Sequence, residues 1–144
     1  LLSMILKKEG FEVFTASSGE EALELLQNIS VDTILLDIQM GKGIDGFETC
    51  RLIKLNEHIQ DIPVIFLTAF DDLDMKLRGF EVGGVDFVAK SFDKTEILTR
   101  VKNQVKLYNN IWQPETRDIY ANIIIRRILQ EQLVCKMQVI VMMK

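Results

Sequence analysis

Three short apolar runs, each stopping at a polar residue, constrain this chain more than any other feature. Thr33-Ile-Leu-Leu36 delivers Asp37, Val64-Ile-Phe-Leu67 delivers Thr68, and Val85-Asp-Phe-Val-Ala89 delivers Lys90. The runs are nearly continuous in hydrophobicity instead of alternating, and amphipathic helical stretches separate them. That pattern specifies strands buried on both faces, and therefore an open α/β fold with helices on both sides of a parallel sheet. In such sheets ligands bind in the crevice beyond the carboxyl ends of the strands. A carboxylate, a hydroxyl and an ammonium are thus expected to share one edge.

The rest of the chain fits between these runs. Leu1 to Glu9 reads as the last two turns of a helix closed at Gly10. Phe11 to Ala16 is a strand, and Ser18-Gly-Glu-Glu21 is a capping box for a helix whose apolar face carries Ala22, Leu25, Leu26 and Ile29. Phe47 to Asn56 is helical in pattern. Asp72 to Phe80 is a weaker helix, closed by Gly79 or by Gly83-Gly84. Asp93-Lys-Thr-Glu96 caps a further helix that runs through Ile97, Val101 and Val105 toward Tyr108.

With 144 residues, 48% of them hydrophobic, the chain suits one domain plus an appendage. Seventeen basic against 21 acidic residues and a net charge of -4 argue against direct binding to nucleic acid or to a membrane surface. Cys50 and Cys135 share no metal-ligand spacing and are too few for a disulfide framework, which fits a reducing cytoplasm. The N-terminus lacks the basic start and cleavage site of a signal peptide, and no apolar run approaches the roughly 20 residues that span a bilayer.

Taken singly, an Asp–Lys pair is most often an ion pair, and a Thr after a strand is often a helix cap. Together at three strand ends, Asp37, Thr68 and Lys90 suggest a nucleophilic carboxylate with donors for the oxygens of an incoming phosphoryl group. A hydrolase triad finds no support, because the only histidine, His58, lies in a polar connection, and no enzymatic activity is expected. A flavin or nucleotide carrier is disfavoured because no glycine-rich phosphate loop follows an early strand.

Residues 1 to about 108 resemble the receiver domain of two-component response regulators. The likeness rests on Thr33-Ile-Leu-Leu-Asp37-Ile-Gln-Met, Asp45-Gly46-Phe-Glu, Pro63-Val-Ile-Phe-Leu-Thr68-Ala69, Leu77-Arg-Gly-Phe-Glu-Val-Gly-Gly-Val-Asp-Phe87-Val-Ala-Lys90 and Ile97-Leu-x-Arg100-Val101. The resemblance implies a flavodoxin-like doubly wound sheet and a phosphoacceptor, Asp37, charged by a histidine kinase. Lys90 and Thr68 would bind phosphoryl oxygens, and Asp37 with the main-chain carbonyl of Gln39 would hold Mg²⁺. Phe87 would be the aromatic whose rotamer reports phosphorylation to a downstream effector, although from position alone Phe87 is equally plain core.

Three departures from the family stand out. The usual first strand and the acidic pair after it are missing from the start of the chain, which makes the Mg²⁺ site poor and raises a rival function, an interaction module that is not phosphorylated. The loop Gly41-Lys42-Gly43-Ile44 lacks proline, is one residue longer than usual and is expected to be mobile. Ser91 stands where the family has a proline in a cis bond, and a serine rarely holds one.

Residues 109–144 lie outside the resemblance and read as a helical tail with a terminal strand. Gln113-Pro114-Glu115 looks like the start of a helix to about Val134, a linker or a homodimerisation segment. Met137-Gln-Val-Ile-Val-Met-Met143 is an apolar run of the kind found at the centre of a parallel sheet. It resembles the missing first strand, with Met142 and Met143 where the family has its two acids. It is expected to fill the central gap, from its own chain or swapped from a second protomer.

Overall fold

The computed structural model describes residues 2–39, 43–69, 72–115 and 138–142, the end of the last helix and the last strand by backbone alone. In chain order the elements are α1 (Leu2–Lys8), β1 (Glu12–Ala16), α2 (Gly19–Asn28), β2 (Thr33–Asp37), α3 (Gly46–Leu55), β3 (Val64–Thr68), α4 (Leu73–Glu81), β4 (Asp86–Ala89), α5 (Lys94–Glu115) and β5 (Gln138–Met142). The five strands form one parallel sheet in the order β1-β5-β2-β3-β4. The C-terminal strand therefore lies between β1 and β2, in the gap expected for it, and it comes from the same chain. Val139 pairs with Val13 and with Thr33, and Met142 pairs with Ala16 and with Leu36. Met143 lies outside the described residues.

Side chains alternate across the sheet and divide the core into two layers. Ile34, Leu36, Val64 and Phe66 face Ala22, Leu26, Phe47, Cys50 and Ile53 of α2 and α3. Leu35, Ile65, Leu67 and Val88 face Leu2 and Leu6 of α1 and Ile97, Val101 and Val105 of α5. Strands with both faces covered must be apolar throughout, which is why β2 and β3 are buried at every position. The result is the doubly wound arrangement that the sequence predicts.

Local chemistry sets the helix ends. Gly10, at φ +92°, takes the left-handed conformation after α1, while its N–H and that of Phe11 donate to the carbonyls of Lys7 and Leu6. Ser18, Asp45, Asp72 and Asp93 each accept a main-chain N–H in the first turn of α2, α3, α4 and α5.

Several sequence expectations are corrected. The capping box of α2 is displaced by one residue, since Glu21 reaches back to the N–H and hydroxyl of Ser17 instead of Ser18. Gly79 does not close α4; the helix passes through it, and Gly83 at φ +101° follows its cap. α5 extends past Tyr108, and its described part includes Gln113-Pro114-Glu115. Gly41 and Lys42, the tail helix to Val134 and Cys135 lie outside the described residues. Among those described, no helix is long and apolar enough to cross a membrane.

Candidate functional site

Asp37 is the last residue of β2, and although it is charged it is only 2% exposed. Its two carboxylate oxygens have separate partners. Oδ2 lies 2.7 Å from the Lys90 ammonium, and Oδ1 accepts the main-chain N–H of Gln39 at 3.0 Å. Lys90 follows β4 directly, and its main-chain N–H donates to the Thr68 carbonyl at 2.8 Å, so the ladder between β3 and β4 continues one step beyond the strands. Thr68 ends β3 and is buried. The sheet thus brings the three predicted side chains to adjacent strand ends. They line a small pocket of about 10 Å³, roughly the room of one water, together with Met75 of α4.

The backbone around Asp37 is held closely from one side. Gly46, the first residue of α3, donates its N–H to the Ile38 carbonyl at 2.9 Å, and a Cβ at position 46 would lie 2.3 Å from the Asp37 carbonyl oxygen. The loop before α3 is tied to α2 through Glu20, whose Oε1 accepts the Ile44 N–H at 3.0 Å. That hydrogen bond, with a second from its own main-chain N–H, holds the Glu20 carboxyl below the usual carboxylate range. Gly43, at φ +93°, lies over the same carboxylate.

Phe87 sits on β4 with its ring turned inward and stacked on Phe66 at 5.5 Å. Asp86 beside it accepts Arg100 Nη1 at 2.8 and 2.9 Å, and this pairing above all raises the Arg100 pKa while fastening α5 to the sheet. All described peptide bonds, Lys90–Ser91 included, are trans.

A divalent cation at Asp37 would need several oxygen ligands. The described residues offer one carboxylate, already paired with Lys90, and the main-chain carbonyl of Gln39. No group of three or more His, Cys, Asp or Glu side chains among them could hold a metal. The described site does not make a full Mg²⁺ site.

Sequence reasoning missed Met75, Glu20 and the contact of Gly46 with the Asp37 backbone. For Gly46 the signal was present, since an Asp-Gly pair opening a helix next to a strand end marks a close backbone approach. Glu20 carried no signal beyond its place in a first helical turn.

A doubly wound parallel sheet with an ion-paired aspartate, a threonine and a lysine at adjacent strand ends defines the receiver class of signalling domains. Residues 1–102 match the response regulator receiver domain, and the chain belongs to that family. It is 42% identical over 107 residues to the heme response regulator HssR of Staphylococcus epidermidis, covering 74% of this chain and 46% of that protein. The chain thus spans less than half of that relative. Among solved structures it is similar to the signal receiver domain of a signal transduction histidine kinase from Syntrophus aciditrophicus, at TM-score 0.66 and 30% identity, covering 73% of this chain and 79% of the other. It shares its fold with the receiver domain of the sensor histidine kinase PA1611 of Pseudomonas aeruginosa PAO1, at TM-score 0.67 and 24% identity over 73% and 85% of the two chains; that domain has a magnesium ion coordinated in its active site cleft.

Proposed function

We propose that this receiver accepts a phosphoryl group on Asp37 from a histidine kinase and that the modification changes which effector its surface binds. The observation that carries the reading is the Lys90–Asp37 pair with Thr68 at the neighbouring strand end. In the transfer, the bond from phosphorus to the donor nitrogen breaks as a bond to an Asp37 carboxylate oxygen forms. The Lys90 ammonium, freed from Oδ2, follows the negative charge onto the phosphoryl oxygens, and the Thr68 hydroxyl donates to another. The arriving dianion is thus met by a cation that is already paired with the acceptor. Thr68 moving toward the phosphoryl group and Phe87 rearranging behind it would shift an existing equilibrium at the surface of α4, β4 and α5. We place this activity in the cytoplasm, where kinase and effector meet.

The rival reading is a receiver-like interaction module that is not phosphorylated, and the single carboxylate at the described site favours it. Incubation with acetyl phosphate, with and without Mg²⁺, separates the two by intact-protein mass. A phosphoryl adduct that disappears in Asp37→Asn is expected. Its absence under every metal condition would leave the binding role alone.

A further inference from the structure

Both carboxylate oxygens of Asp37 are already engaged, Oδ2 by the Lys90 ammonium at 2.7 Å and Oδ1 by the Gln39 N–H at 3.0 Å. The pocket around them is walled largely by Ile38, Leu67, Ala69 and Met75, and its volume of about 10 Å³ has room for roughly one water. Among the described residues no buried side-chain oxygen or nitrogen lacks a hydrogen-bond partner, so none stands ready for a further ligand. The strand beside β2 adds no acid. Its register sets Met142 opposite Leu36, one residue before Asp37, and the sequence from Gln138 to Lys144 contains neither Asp nor Glu.

Charge decides what such a pocket can accept. One carboxylate and one ammonium cancel, so the pair is neutral as it stands. A divalent cation entering beside them would make the site doubly positive next to a carboxylate that is almost wholly buried, and no second acidic residue lines the pocket to offset it. Uncompensated charge in so dry a place is costly. Magnesium carries a further handicap, because it sheds its waters reluctantly and the pocket has room for roughly one.

We propose that the Lys90 ammonium is the resident cation of this site: it takes the place at Asp37 that a divalent ion would need, and the unmodified protein binds no Mg²⁺ there. Lys90 suits this role because its side chain is partly exposed, so the ammonium keeps some hydration while it neutralises the buried carboxylate. Its own main-chain N–H, bonded to the Thr68 carbonyl at 2.8 Å, fixes the backbone from which it reaches. The inference concerns the acceptor site proposed above, but it holds whether or not Asp37 ever takes a phosphoryl group.

The test follows the Gln39 amide of the full chain by NMR, since that N–H bonds the carboxylate directly. The probe is Mn²⁺, which takes the same oxygen ligands as Mg²⁺ and broadens the signals of amides close to it. In the parent protein the Gln39 signal is expected to broaden no faster with added Mn²⁺ than in Asp37→Asn. In Lys90→Ala the carboxylate has lost its counter-ion, and the broadening should become several times stronger than in Lys90→Ala combined with Asp37→Asn and be reversed by excess Mg²⁺. Broadening in the parent that exceeds that of Asp37→Asn and is reversed by Mg²⁺ would overturn the proposal. So would a folded Lys90→Ala protein that broadens no more than its double variant, because the ammonium would then not be what keeps the cation out. Lys90→Gln, similar in length but uncharged, carries the same two outcomes if the alanine variant does not fold. No arm requires an adduct at Asp37, so failure of the phosphotransfer reading and failure of this one are seen separately.

Discussion

The Lys90 ammonium reaches 2.7 Å from the Asp37 carboxylate out of a far wetter environment, for the lysine side chain is 37% exposed while the carboxylate is buried. The pair is therefore asymmetric. Removing the lysine strands a buried charge, whereas neutralising the aspartate releases a cation that water can solvate. Lys90→Ala is expected to cost about 1–2 kcal/mol, below the usual figure for a fully buried pair because of that exposure. Adding Asp37→Asn to it should recover part of the loss. Urea denaturation of the two single variants and the double one measures this, and additive costs would show that the two groups are not coupled.

Gly46 should tolerate no side chain. A Cβ 2.3 Å from the Asp37 carbonyl oxygen meets backbone, which cannot rotate away as a flexible side chain could. Gly46→Ala is expected to destabilise by about 1–3 kcal/mol. It should also slow adduct formation at Asp37 if the main chain of the acceptor shifts, which thermal denaturation and mass spectrometry check side by side.

The central strand offers a sharper test. β5 makes ladders with both β1 and β2, so its removal opens two edges at once. Deleting residues 135–144 should abolish cooperative unfolding, and Ile140→Pro, which removes a donor in the middle of the strand, should do most of the same damage. A soluble deletion variant with an unchanged urea transition would show that the strand is dispensable.

Much of this arrangement was legible because the signals are local. Asp37, Thr68 and Lys90 each follow an apolar run, and parallel strands place such residues together whatever the loops do. β5 was legible for the same reason, since a run as apolar as Met137 to Met143 belongs in a sheet centre. For α4 the sequence left two closures open, Gly79 and Gly83-Gly84, because either glycine could end a helix; the structure takes the second, with Gly83 at φ +101° after the cap. The reach of Glu20 to Ile44 spans 24 residues and leaves no periodic trace. The run of α5 beyond Tyr108 was missed because a proline reads more readily as a helix start than as part of a continuing helix.

Cys50 gives the alkaline limb of stability a specific cause. Burial pushes its thiol from the ordinary 9.0 up to about 11, with nearby Lys54 pulling the other way. Because the folded value is raised, its contribution is fully present below about pH 9 and is lost as pH rises toward 11. Cys50→Ala should lessen the fall in unfolding free energy across that window by about 2 kcal/mol. In the native protein at neutral pH the thiol should also resist a disulfide reagent until urea unfolds it.

Glu20 and Glu21, like Glu48, contribute to the acid limb. Both are held below 4.5, Glu20 by the Ile44 N–H and Glu21 first by the Ser17 hydroxyl. Lowered folded values mean that their contribution is present above about 4.5 and fades as pH falls through the folded values. Glu20→Gln should accelerate hydrogen exchange at the Ile44 amide at neutral pH while leaving the α3 amides unchanged. Equal protection of Ile44 in both proteins would count against the tie.

The strand at the heart of the sheet is also the one most distant in sequence from its neighbours. Thr33 pairs with Val139 and Glu12 with Gln138, separations of more than a hundred residues. Sheet closure must wait for the ribosome to release residues that come long after β1 through β4, and until then β1 and β2 present facing, unpaired edges. Such long-range closure folds slowly and leaves a period of exposure to edge-to-edge aggregation. The yield of this protein in a cell is therefore expected to depend on how soon synthesis reaches β5 and on what shields those two strands meanwhile.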